Sequence, residues 1–103
     1  MENTLVRKPT MRQTVLAATR QDVRRCQACL DCDVPEASDL DISLGTLVQM
    51  VLYNDDEVLI SRALWCESVL EGARHVCKRG LDLQAIMLAL REEALRRGLK
   101  QQV

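Results

Sequence analysis

Apolar residues in this chain recur at spacings of three and four, and that period restricts the fold more than any other feature. It is clearest after Asp82, where Leu83, Ile86, Met87, Leu90, Ala94 and Leu95 form one stripe and Arg96, Arg97 and Gly98 close the segment. Such a stripe predicts an amphipathic helix with Asp82 as its cap. The same spacing joins Leu44, Leu47, Val48, Val51 and Leu52 behind Asp41 or Ser43, either of which can cap a helix. Met11, Val15, Leu16, Ala18 and Val23 predict a shorter helix that starts at Thr10 or Thr14 and runs toward Arg24. Asn54 or Asp55 caps a further segment with Val58, Leu59, Ala63 and Leu64 apolar, ending near Trp65, and Asp56 and Glu57 suit its N-terminus electrostatically. Ser68 and Glu71 have capping-box spacing, and Val69, Leu70, Ala73, Val76 and Cys77 carry a helical pattern on toward a stop at Gly80.

Composition agrees with packed helices. The chain is 48% apolar but 2% aromatic, with Trp65, Tyr53 and no Phe, so its core is built from Leu, Val, Ile, Met and Ala. A sandwich or barrel draws on aromatic and β-branched residues far more heavily. The expectation is an all-α fold, a bundle of about four to five short helices with a cysteine-bearing loop. With 103 residues it is read as one domain, 1–103, with a loose polar arm over 1–9 and a helical core over 10–98.

A net charge of -1 gives no reason to invoke a polyanionic partner, and the scarcity of rings removes the platform on which single-stranded nucleic acid stacks. No nucleic-acid partner is expected. Lys and Arg are missing between Cys26 and Ser61, where Asp31, Asp33, Glu36, Asp39, Asp41, Asp55, Asp56 and Glu57 lie. That acidic middle reads as a solvated surface that can also steer a basic partner. No apolar run is long enough for a membrane span and the N-terminus lacks a secretory apolar region, so a cytoplasmic protein is expected. Five cysteines, an odd number, then argue for metal or redox chemistry over a disulfide scaffold.

Three of those cysteines stand in a C-x-x-C-x-x-C run, Cys26, Cys29 and Cys32, on a stretch through Leu40 that holds Pro35 and has no helical period. Three thiolates on one tight loop suit three corners of an iron–sulfur cube, and in two-cluster ferredoxins the fourth cysteine of such a run ligates the other cluster. A fourth ligand is therefore sought at a distance, with Cys66 and Cys77 as candidates.

The segment from Cys26 to Gly98 resembles the small ferredoxin component of heterodisulfide reductase, an all-helical iron–sulfur protein. Members of that family carry two runs of the form C-x-x-C-x-x-C-x-x-x-C-P joined by a helical stretch similar to "LDISLGTLVQMVLYNDDEVLISRALW", and a Gly and an Asp open a last helix as in "RGLDLQAIMLALREEALRRG". Here Val34 precedes Pro35 where the family has its fourth cysteine. Counting back from Gly80, Cys77 falls on the fourth cysteine of the second run, Lys78 replaces the proline, and Glu67, Leu70 and Ala73 fall on the other three positions. By the crossed-ligand rule the resemblance implies that Cys26, Cys29, Cys32 and Cys77 ligate one cluster and that the other site is lost whole.

The resemblance thus implies a helical ferredoxin-like electron-transfer protein with one [4Fe-4S] cluster and no catalytic site of its own. It also implies two heterodisulfide reductase-like partners, a catalytic protein and a flavin-containing protein. These would form a soluble complex, including the related complexes that act in sulfur oxidation, as a hetero- or homo-oligomer. Two alternatives stand beside it: a cluster-free adaptor that keeps the helical docking surface, and a zinc site on the same thiolates. Cys66 reads as a small buried hydrophobe, His75 as a helical histidine near the site, and Arg24, Arg25, Lys78 and Arg79 as cations flanking the cysteines. Met11, Met50 and Met87 read as core residues. A single His, no glycine-rich phosphate loop and no dinucleotide fingerprint leave no hydrolytic or nucleotide-binding constellation.

Overall fold

Thr10 starts the first helix by a reciprocal bond: its hydroxyl accepts from Gln13 N–H at 3.1 Å, and its own N–H donates to the Gln13 carboxamide at 2.8 Å. The computed structural model describes residues 10–26, 40–74, 76–77 and 80–99. Within them the regular elements are α1 (Met11–Thr19), α2 (Leu44–Leu52), α3 (Glu67–Gly72) and α4 (Leu83–Arg96), with 3-10 turns at Val23–Arg25 and Asp56–Ile60. Among the described residues there is no strand, as the helical period requires. The arm over 1–9 and the stretch 27–39 lie outside the described residues.

α4 is the central element and packs against α1, α3 and the 56–60 turn, while α2 packs against α1 and both 3-10 turns. Leu83, Ile86, Met87 and Leu90 of α4 join Met11 and Val15 of α1 and Leu44, Leu47 and Val48 of α2 in one buried apolar cluster. Each such side chain contributes about 1.5–3 kcal/mol by leaving water. Met11 and Met87 are buried there and Met50 packs on its edge. Leu95, placed on the stripe by spacing, is 62% exposed, and Ala89 is buried instead. The C-terminal end of α4 is a Schellman turn: Gly98 adopts φ 78°, Leu99 N–H reaches Ala94 O at 2.9 Å and Gly98 N–H reaches Leu95 O at 3.0 Å.

Three elements are shorter than their apolar pattern predicts, each because side chains take over backbone donors or acceptors. α1 stops at Thr19 and does not run to Arg24: the Thr19 hydroxyl donates back to Val15 O at 2.7 Å, Gln21 N–H turns to that same hydroxyl, and Arg20 adopts φ 61°. The segment after Asp55 is a 3-10 turn and not an α-helix reaching Trp65. There Asp55 accepts from Glu57 N–H, Ser61 Oγ donates to Val58 O, and the Asp41 carboxylate accepts from Arg62 N–H at 2.7 Å and Ala63 N–H at 3.2 Å. Ser43, not Asp41, therefore caps α2. α3 starts one residue before Ser68, makes no side-chain cap at Cys66, and ends at Gly72. Its pattern does not continue as helix to Cys77, because Gln84 Nε2 donates to Leu70 O at 3.0 Å and Ala73 closes the turn.

Candidate cysteine site

Asp22 fixes the 3-10 turn Val23–Arg25 by accepting from Arg24 N–H at 2.9 Å. Cys26 ends that turn, with its N–H bonded to Val23 O at 2.9 Å. The half-buried Cys26 side chain packs on the edge of the core, and its Sγ accepts a hydrogen bond from Gln49 Nε2 at 3.1 Å. Cys77 is also half-buried against the core, and its carbonyl accepts from Gly80 N–H at 3.3 Å. It lines an open depression of about 310 Å³ with Arg74, Gly80, Leu81 and Asp82.

The two segments that carry these cysteines are tied to each other. Gln21 and Asp82 exchange two bonds across 61 residues: Gln21 Nε2 donates to Asp82 O at 3.1 Å, and Asp82 N–H donates to Gln21 Oε1 at 2.6 Å. A second contact lies nearer the two cysteines in sequence. Gly80 adopts φ 87°, and a Cβ built there would sit 3.2 Å from Arg25 Nη2, so the Arg25 guanidinium lies over a glycine three residues after Cys77. The Asp82 side chain meanwhile accepts from Ala85 N–H at 3.2 Å, so the tie and the start of α4 are one unit.

The local charges are partly spoken for. Arg24 is paired with Asp22 at 2.7 Å, and this pair holds the Asp22 carboxyl down to about 2. Cys66, expected to be buried, occupies the N-cap position of α3 beside Trp65 and is only half-buried against the core. Trp65 donates its indole N–H to Leu59 O at 2.9 Å, and Arg91 lies 5.5 Å over its ring. Cys29, Cys32, His75, Lys78 and Arg79 lie outside the described residues. Among the described residues no group of three or more His, Cys, Asp or Glu side chains is arranged to hold a metal ion, and the described members of the expected set are Cys26 and Cys77.

The described part of the expected set offers two half-buried cysteine side chains, and Cys26 Sγ has an N–H donor, the kind of partner that a metal-bound thiolate accepts from. Sequence reasoning missed Gln49 and Gln21. The one available signal for Gln49 was a carboxamide set among the apolar residues of "TLVQMVL". Gln21 had none, because its partner is distant in the chain.

No family model matches the chain, and no curated protein or solved structure matches it. Among the described residues no helix is long and apolar enough to cross a membrane.

Proposed function

We propose that the chain is an electron-transfer protein that holds one [4Fe-4S] cluster through Cys26, Cys29, Cys32 and Cys77. The cluster would supply one-electron redox chemistry. The chain's own residues contribute the rest: a C-x-x-C-x-x-C run for three sulfurs, a remote fourth sulfur at Cys77, and an amide donor on Cys26. The observation that carries this reading is the tie between the two cysteine segments. Neutral hydrogen bonds are worth about 0.5–1.5 kcal/mol each, enough to hold two loop ends in register once the core has brought them near. A fourth ligand 45 residues beyond Cys32 needs that register.

The resemblance to the ferredoxin component of heterodisulfide reductase extends the proposal to a complex with a catalytic protein and a flavin-containing protein like those of that enzyme, in a cytoplasmic setting. Leu88 and Leu95 on the outer side of α4, both about half exposed or more, give the chain apolar surface to set against such a partner.

Replacing Cys77 tests the ligand set. Cys77→Ala is expected to abolish the [4Fe-4S] signal or leave a three-iron form, while Cys66→Ala leaves iron content and spectrum unchanged. The opposite pattern assigns the fourth ligand to Cys66 and removes the alignment with the family.

A further inference from the structure

Gln49 sits in the second half of α2, a helix fixed at one end by Ser43 and at the other by the Tyr53 N–H bond to Gln49 O at 3.0 Å. Its neighbours Val48 and Val51 are buried in the core, so its backbone has little freedom. From that position its carboxamide reaches across to the first cysteine, 23 residues earlier in the chain, with Nε2 at 3.1 Å from Cys26 Sγ. A carboxamide offers an N–H donor at one end and an acceptor oxygen at the other, whereas a metal-bound thiolate can only accept. The donor end faces the sulfur. A helix residue whose backbone is anchored in the core and whose amide N–H meets the sulfur is placed to act on that sulfur's charge.

Resting on the reading above, we propose that Gln49 sets the redox poise of the centre: its amide donates to Cys26 Sγ and favours the charge state that puts more negative charge on the sulfur. The physics is that of a charge-assisted hydrogen bond in a half-buried site, stronger than the same bond to a neutral acceptor and less screened than one in open water. Accepting one electron adds one negative charge to the centre and its four thiolates, so the bond strengthens on reduction and raises the potential. Cations near the two cysteines act in the same direction: the Arg25 guanidinium lies over Gly80, three residues after Cys77, and Arg74 lines the depression with Cys77. Gln49 is a positioning residue in this scheme; it exchanges no electron itself.

The test uses the full chain purified without oxygen, with iron and sulfide counted and the midpoint followed by EPR against redox mediators. Gln49→Leu removes the donor and keeps the bulk. It is expected to shift the reduction equilibrium toward the oxidised form by less than about tenfold, because the sulfur is charged in both states and only the strengthening of the bond on reduction, a fraction of one charge-assisted bond, is lost. Gln49→Glu puts a carboxylate beside the sulfur and is expected to lower the midpoint further, giving the order Gln, Leu, Glu. The Glu variant also decides the matter if the Leu variant assembles poorly. A second readout needs no cluster: in the metal-free chain, Cys26→Ala is expected to move the Gln49 side-chain amide resonances. Full iron content with both midpoints unchanged, or amide resonances that stay in place, overturns the role of Gln49 and leaves the cluster proposal standing. A wild-type chain that takes up no iron even on reconstitution overturns both.

Discussion

Glu93 gathers two arginines at the end of α4. Its carboxylate accepts from Arg96 Nη2 at 2.6 Å and from Arg97 Nε at 2.7 Å, and Arg97 reaches on to Asp56 at 3.2 Å, joining the end of α4 to the 56–60 turn. Burial pushes the Glu93 carboxyl up, but the bonds from Arg97 and Arg96 together outweigh it and hold the group below its ordinary range. A carboxyl lowered on folding stabilises the folded state above its unfolded pKa, about 4.3 for Glu, and that contribution is lost as pH falls through the folded value. Glu93→Gln is therefore expected to lower the thermal midpoint at neutral pH, with the gap to wild type closing as pH falls below about 4. Melts recorded from neutral pH downward check this, and a gap independent of pH contradicts it. The pair Asp22 and Arg24 has an equally clear pKa signature, yet it lies at the surface, where such pairs add little. At this scale the i, i+4 partner of Glu93 could be read from the sequence, whereas the Arg97 contact with Asp56 spans 41 residues and could not.

Elements divide along the same line between local and distant causes. Capping is local chemistry, and Thr10, Ser43, Asp55 and Asp82 serve where capping residues were expected, whereas the box expected of Ser68 and Glu71 does not start α3, whose N-cap is Cys66. The apolar stripe of α4 likewise marked Leu83, Ile86, Met87 and Leu90, all buried. Leu90→Ala is accordingly expected to cost about 2–5 kcal/mol in chemical denaturation, because most of the side chain leaves a site enclosed by other elements. A loss no larger than that of a surface substitution would mean that α4 is peripheral. Element lengths were not legible in the same way. The pattern after Asp55 fits an α-helix as well as a 3-10 turn; Asp41, 21 residues upstream, takes the Arg62 N–H and stops the helix from forming. The Gln84 contact with Leu70 O does the same for α3. A period records which residues are buried; it carries no information on which distant side chain will claim a backbone group.

Across the whole molecule the apolar composition and the helical period suffice for an all-helical core, and that part of the architecture was readable at once. The bearing of the two cysteine segments on each other was not, since it rests on Gln21 with Asp82, on Arg25 over Gly80, and on the packing of α1 against α4. Those contacts turn a suggestive spacing of cysteines into a proposal for one four-sulfur site. That proposal is met head-on by counting iron and acid-labile sulfide per chain in protein prepared without oxygen, together with its absorption and reduced-state EPR spectra. About four of each are expected, with the spectra of a single cubane. Iron and sulfide both absent after reconstitution would contradict the proposal, and a zinc assay on the same sample would then separate a zinc site from a metal-free adaptor.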